Sequence, residues 1–296
     1  MAKRAAPAAF LGLRPVKTGL GMLLAAAWLW PVATHAEEHE SGKEKVETEH
    51  IFGFTEGTDI GEKGEQEFES TTVGRFGRAG RYTGIANESA YRNVLTDGFR
   101  LSFAAFGDYH GIREMPGLAD RTGASLSGAA SELRWQFSDR TKLPIGFSVS
   151  LMPEFRWIDD IAGTRTENYA LPVVVALDAA PVPDKFFTAF NFIYDPGIAR
   201  DGGGWERSLQ IEASGAVSYA ITPEVFVGAE LRYIAWDEQA TLSRGLFAGP
   251  SLYVKLSKTS AIKVAWSTEI AEDTAHGPAL ASFERNQAIV LFVKSF

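Results

Sequence analysis

The chain closes on a strand. Its last residues, Asn286-Gln287-Ala288-Ile289-Val290-Leu291-Phe292-Val293-Lys294-Ser295-Phe296, carry an apolar run to a terminal aromatic, while the opening residues have the make-up of an export signal. An exported chain that finishes this way fits one architecture well. That architecture is an antiparallel outer-membrane β-barrel, whose last strand pairs with the first so that no strand edge is left open in lipid.

The signal has three parts. Lys3, Arg4, Arg14 and Lys17 form a basic n-region, Gly19 to Val32 an apolar core, and Thr34-His35-Ala36 puts small residues at the −3 and −1 positions. At about 14 residues the core falls short of the roughly 20 that a spanning helix needs, so residues 1–36 are expected to be a cleaved signal peptide. Cleavage removes four basic residues and takes the formal charge from −8 to −12. Such an acidic chain is a poor partner for nucleic acid. There is no cysteine, so disulfides contribute nothing to the exported fold.

Period-two alternation carries the fold assignment. Val225, Val227, Ala229, Leu231, Tyr233 and Ala235 alternate with Gly228, Glu230 and Arg232; Ile145, Phe147, Val149, Leu151, Pro153, Phe155 and Trp157 alternate with Gly146, Ser148, Ser150, Glu154 and Arg156. Phe99, Leu101, Phe103 and Ala105 stand against Arg100, Ser102 and Asp108 in the same way. One face suits lipid and the other water. Twelve strands are expected, near 66–76, 82–93, 99–110, 124–137, 145–157, 166–178, 185–195, 205–220, 224–236, 244–256, 261–271 and 285–296. Soluble sandwich strands are about half that length. Every second connection is a tight, turn-rich segment such as Leu95-Thr96-Asp97-Gly98 or Thr222-Pro223, and the others are mostly longer and more polar. The even count puts both termini on the periplasmic side.

Aromatics gather at the strand ends. Tyr109, Trp157, Tyr169, Tyr194, Trp205 and Tyr233 fall near the longer loops and Phe99, Phe137, Phe186 and Tyr219 near the short turns, in two rows that suit membrane interfaces. Pro153, Pro172 and Pro250 interrupt expected strands. A closed wall has no edge on which to place them, so kinks or bulges are expected there.

Three Glu-x-Arg repeats stand out: Glu132-Leu133-Arg134, Glu154-Phe155-Arg156 and Glu230-Leu231-Arg232. By parity all six charges face the lumen, joined by Arg100, Asp108, Asp178, Glu212, Lys255, Lys263 and Glu269. They either pair across strands and stiffen the wall or line a narrow pore and set its selectivity. Enzyme chemistry has little support. Of the histidines outside the signal, His39 and His50 lie in an acidic stretch and His276 in a loop, and only His110 stands at a strand end near the outer rim. It faces inward by parity, and no serine-centred lipase motif accompanies it, so a rim hydrogen-bonding role is the simpler reading. No sequence pattern suggests a metal or a cofactor.

Before the barrel, residues 37–50 are acidic and lack an apolar core, which suggests a disordered periplasmic tail. Residues 51–65 join apolar side chains to four glycines, and suit either a lead-in to the first strand or a partial plug of the periplasmic mouth. Phe52-Gly53-Phe54-Thr55-Glu56-Gly57 and Asp59-Ile60-Gly61-Glu62-Lys63-Gly64 in this segment, with Phe187-Thr188-Ala189-Phe190-Asn191, Val225-Phe226-Val227-Gly228-Ala229-Glu230 and Phe283-Glu284-Arg285, resemble a group of uncharacterised proteobacterial outer-membrane proteins over most of the mature chain. The resemblance implies an outer-membrane barrel and brings no substrate or catalytic residue. Phe292 and Phe296 would then form the C-terminal signal that the barrel-assembly machinery reads, with Lys294 as a departure from its usual apolar pattern.

The expectation is an all-β transmembrane up-and-down barrel in a Gram-negative outer membrane, in contact with lipids and lipopolysaccharide. The function that suits it is a narrow pore or passive transporter for a small solute. A structural or surface-binding barrel without a channel is the alternative, and a lipid-active hydrolase the remoter one.

Overall fold

Alternating strands of this length have one face to bury, and here the polar face is the buried one. In a computed structural model, residues 46–78, 80–200, 203–238, 241–274 and 283–296 are described. The expected signal over residues 1–36, most of the acidic tail with His39, and His276 lie outside them. Along the third strand Arg100, Ser102, Asp108 and His110 are buried while Phe103 and Tyr109 are exposed. That is the inverse of a soluble protein and fits a wall with lipid outside.

Fourteen strand segments build the wall: β1 (Gln66–Phe76), β2 (Arg81–Thr96), β3 (Phe99–Arg113), β4 (Arg121–Ser138), β5 (Gly146–Leu151), β6 (Glu154–Ile158), β7 (Arg165–Ala170), β8 (Val173–Val182), β9 (Phe186–Arg200), β10 (Glu206–Thr222), β11 (Val225–Glu238), β12 (Thr241–Ser257), β13 (Ser260–Thr274) and β14 (Asn286–Ser295). Each long strand pairs antiparallel with its sequence neighbours, and β14 pairs with β1. The wall is closed. Ser70 faces Phe292 and Phe76 faces Asn286 across the seam, and the Phe296 amide donates to the Gln66 carbonyl at 2.8 Å.

Twelve wall strands result, because β5 with β6 and β7 with β8 are two strands each broken in half. The breaks fall at Met152-Pro153 and Leu171-Pro172. Proline has no N–H to give the ladder, so the chain steps aside there and the neighbours bond across the gap. The Met152 amide donates to the Pro172 carbonyl at 2.9 Å, and the Ser131 amide to the Pro153 carbonyl at 3.1 Å. Pro250 does less damage. It stays within β12 opposite Ala229, while the β12–β13 ladder lacks pairs between Ala248–Thr268 and Ser251–Ala265 with its register unchanged.

Short turns and both chain ends of the barrel share one rim, called here the turn end; the longer connections form the loop end. Exposed aromatics mark both: Tyr109, Tyr169, Tyr194, Trp205 and Tyr233 towards the loop end, and Phe137 and Tyr219 towards the turns. Phe155 stacks on Tyr169 at 4.8 Å, and Tyr169 meets Trp205 at 6.1 Å, so part of the loop-end row is one continuous cluster. Lys294, the departure noted near the C-terminus, bonds Thr259 in the β12–β13 turn at 2.6 Å.

Candidate functional site: the filled lumen

The chain before β1 runs back through the turn-end half of the lumen. Thr48, Glu49, His50, Ile51, Phe52, Thr55, Thr58, Asp59 and Ile60 are all buried. Two forces hold them. Ile51 and Phe52 pack with Phe187, Ala189, Ala216, Ala220 and Phe226 on inward positions of β9, β10 and β11. Phe187 and Phe226 meet at 5.9 Å, which places apolar side chains on the lumen side where the segment lies.

Polar groups complete the fit. The Glu230 carboxylate accepts from the Phe54 and Thr55 amides at 2.8 and 3.1 Å, and Asn191 accepts from the Glu56 amide at 2.7 Å. Asp178 accepts from the Thr58 hydroxyl at 2.7 Å and from that of Thr48. Ser218 donates to the Ile51 carbonyl at 2.8 Å. These bonds satisfy the irregular backbone inside the barrel, where water is scarce. The segment also approaches itself closely. A Cβ on Gly57 would lie 2.4 Å from the Thr48 carbonyl oxygen, so only glycine fits there.

At the centre sits Glu49. Its carboxylate accepts from Arg92 of β2 at 3.0 Å, from Arg100 of β3 at 2.6 and 2.7 Å, and from Arg134 of β4 at 2.9 Å. Arg134 reaches further, to Glu56 at 3.0 Å and to the Gly57 carbonyl, and Arg140 in the β4–β5 turn holds Asp59 at 2.8 Å and the Val46 carbonyl. Three adjacent strands and the next turn thus bind three carboxylates of one segment. The acidic tail expected through residue 50 is therefore corrected: its last residues are docked, because wall arginines far away in sequence neutralise the charge that by itself predicts disorder. The void beside Glu49, Arg92, Arg100 and Glu67 is about 10 Å³, room for one water.

Each Glu-x-Arg repeat does something different. Glu132 joins Arg100 at 3.2 Å and Ser150 at 2.7 Å, while Arg134 clasps the inner segment. Glu154 and Arg156 pair with each other, and Arg156 reaches Asp108 at 3.3 Å and lies over Phe106 at 4.1 Å. Glu230 caps segment amides, whereas Arg232 forks to Glu212 at 2.8 and 3.2 Å, bonds Gln287 at 2.8 Å and covers Phe54 at 4.1 Å. Sequence parity named these six residues. It missed Glu49, Arg92 and Arg140. Arg92 shares its inward face with Ala90 and Val94, and β2 carries Asn87, Ser89 and Asn93 on the other, so its two faces hardly differ in polarity.

One group has metal-ligand composition: His50 Nε2, Glu67 and Glu69 offer atoms within 4.8 Å of one another. Arg92 already brings a cation there, 2.6 Å from Glu69 and 3.6 Å from Glu67, so these side chains read as an ion-paired cluster. Spacing concealed it, since His50 reaches β1 only by way of the docked segment.

Among the described residues, the loop end carries contacts of its own. Asp159 accepts from the Ile161 amide at 3.0 Å and from that of Ala162 at 2.5 Å, and its own amide donates to Thr164 at 2.8 Å, so this loop holds its own shape. Asp160 accepts from Arg75 of β1 at 2.7 Å, and His110 Nε2 lies 3.1 Å from the Asp160 carbonyl. Next to it Glu284 accepts from Arg78 at 3.0 and 2.7 Å. Burial works against both carboxylates, but guanidiniums outweigh it. Arg75 and Arg156 hold Asp160 far below the usual carboxylate range, and Arg75 and Arg78 lower Glu284.

A pH dependence follows from Asp160. Its folded pKa is depressed, so its contribution is complete above the unfolded value near 4 and disappears only as pH falls through the lower folded value. Protease resistance of the 159–164 loop should therefore be level from neutrality to about pH 4 and drop below it, and Asp160→Asn should lack that resistance throughout. Loss between pH 6 and 5 would show that another group holds the loop.

A family model described as "Family of unknown function (DUF6662)" matches residues 44–287. The chain belongs to DUF6662. Its match begins just before the inner segment, so the filling of the lumen falls within the family region together with β1 to β13. No curated protein matches the sequence. Among solved structures, the COG4313 outer membrane channel from Pseudomonas putida F1 is similar in fold at 11% identity and TM-score 0.58, over 81% of the DUF6662 chain and 98% of that one. The NanC porin aligns at 8% identity and TM-score 0.47, over 77% and 98%. Likeness at such identity concerns the fold alone, and the first of these structures shares the barrel architecture described above.

Proposed function

We propose that this barrel is an outer-membrane channel for a small solute, closed at rest by residues 46–60, and that it performs no covalent chemistry. The observation that carries the reading is what fills the lumen. A segment of chain occupies its turn-end half, held by wall side chains, and its departure breaks no hydrogen bond between wall strands. A barrel serving only as a scaffold has no need of a separable filling. The likeness in fold to an outer membrane channel supports this. His110 gives no support to a hydrolase, since its Nε2 is engaged by the Asp160 carbonyl rather than by a serine hydroxyl. The exposed outer belt suits lipid and lipopolysaccharide, and Phe292 and Phe296, both exposed, are available to the assembly machinery. The rival reading is a permanently shut barrel, favoured by the Asp160 and Glu284 ion pairs at the loop end.

A lock distinguishes the two. Thr55 Oγ1 lies 3.0 Å from Ser214 Oγ, both buried, and the chain has no cysteine of its own. Thr55→Cys with Ser214→Cys should form a disulfide that fastens the segment to β10. Planar-bilayer recordings should show no events from the oxidised protein and discrete openings after reduction. Equal currents in both states would mean that the segment is not the closure, and silence in the reduced state and in the unmodified chain would end the channel reading.

A further inference from the structure

The arginine clasp says what kind of solute can open the lumen. Glu49 is buried among three guanidiniums that are themselves buried, with donor distances of 2.6 to 3.0 Å. Arg100 grips it with a two-pronged fork, the geometry that suits a planar carboxylate. The wall's own acids cover only the flanks of this cluster. Glu69 and Glu67 lie 2.6 and 3.6 Å from Arg92 and Glu132 lies 3.2 Å from Arg100, but Glu132 is 4.0 Å from Arg134. The near carboxylates of Arg134, Glu49 and Glu56, both belong to the inner segment.

If the segment left unaided, Arg134 would remain in a confined lumen with no carboxylate nearer than Glu132 at 4.0 Å, and the fork of Arg100 would lose its bidentate partner. Stranding a buried charge is costly, so unaided undocking is rare. A neutral solute has nothing to put in the vacated place. A solute with a carboxylate does, and by binding only the undocked state it shifts the equilibrium towards it.

We infer that the solute carries a carboxylate, and that it opens the lumen by replacing Glu49 between Arg92, Arg100 and Arg134. The inference rests on the channel reading above. Glu49 is in this sense a stand-in for the permeating group. The charge that bars the path is of the same class as the charge that passes, and the three arginines serve first as latch and then as binding site.

The experiment uses the full chain in lipid with sodium gluconate, compared with glucose plus sodium chloride at equal ionic strength. The two organic solutes are similar in size, and only gluconate carries the anion. Amide hydrogen exchange over residues 46–60 reports undocking, and planar-bilayer current reports passage. Gluconate should speed exchange at least tenfold and raise open probability, with glucose leaving both unchanged. Arg100→Gln, which removes the fork from Glu49 and from the solute alike, should speed exchange in the absence of solute and leave it nearly unresponsive to gluconate. If current flows but gluconate and glucose act alike on the unmodified protein, the inference is overturned and the channel stands. Faster exchange with gluconate but no current under any condition would keep the carboxylate site and remove the channel. The unmodified chain alone separates these outcomes, whether or not the variant folds.

Discussion

Arg134→Leu is expected to release the inner segment while leaving the wall intact. Arg134 is one of the largest fully buried side chains, and it bonds Glu49 at 2.9 Å, Glu56 at 3.0 Å and the Gly57 carbonyl. Leucine supplies none of these donors. Glu56 loses its guanidinium, the Gly57 carbonyl loses its charged donor, and Glu49 keeps two arginines of three. Removing one partner from a buried ionic network costs about 3 to 5 kcal/mol. The lower figure is appropriate because Arg92 and Arg100 remain, and about 3 kcal/mol corresponds to a roughly hundredfold change in the docking equilibrium. Hydrogen exchange of amides 46–60 should accelerate by that factor, whereas the β1–β4 amides should keep their protection. Exchange within about threefold of the unmodified protein would mean that the apolar contacts of Ile51 and Phe52 hold the segment by themselves.

Gly249→Ala should damage the wall itself. A Cβ at Gly249 would lie 1.6 Å from the Trp266 carbonyl oxygen and 2.6 Å from its carbon. Those atoms are backbone of the paired strand, so no side-chain rotation relieves the contact. Gly249 also lies in the gap of the β12–β13 ladder beside Pro250, so the two strands approach closely at a point where their pairing is already interrupted. Separating them would expose backbone groups to lipid, for which no water compensates. Overpacking of an ordinary core costs about 1 to 3 kcal/mol, and this closed wall should lose at least about 3. On a gel, unboiled wild-type protein should run as a compact folded band, and the variant should lose that band or lose it at lower urea. An unchanged urea midpoint would show that β12 and β13 can part here without cost.

The two substitutions separate the molecule into parts that differ in how far they could be read in advance. Strand positions were readable because a barrel strand is specified locally. Alternation over ten residues decides which side chains meet lipid, and β1 (Gln66–Phe76) lies where the pattern placed it. Prolines are local too, since a missing N–H acts wherever it falls, and two of the three break their strands. Inward parity placed Glu132, Arg134, Glu230 and Arg232 on the buried face for the same reason.

What each inward charge binds was not readable. Glu49 lies 43, 51 and 85 residues from Arg92, Arg100 and Arg134, and closing the barrel is what brings those arginines around one point. The acidic run before the barrel accordingly reads as disorder. The sequence by itself determined a closed twelve-stranded wall with apolar residues outside and charges inside, because a two-residue period and an obligation to pair every backbone group leave little else. Only the tertiary structure decided that the lumen is filled, by which segment and through which arginines, because those contacts join residues with no local relation and depend on charges that cancel only after the wall has closed.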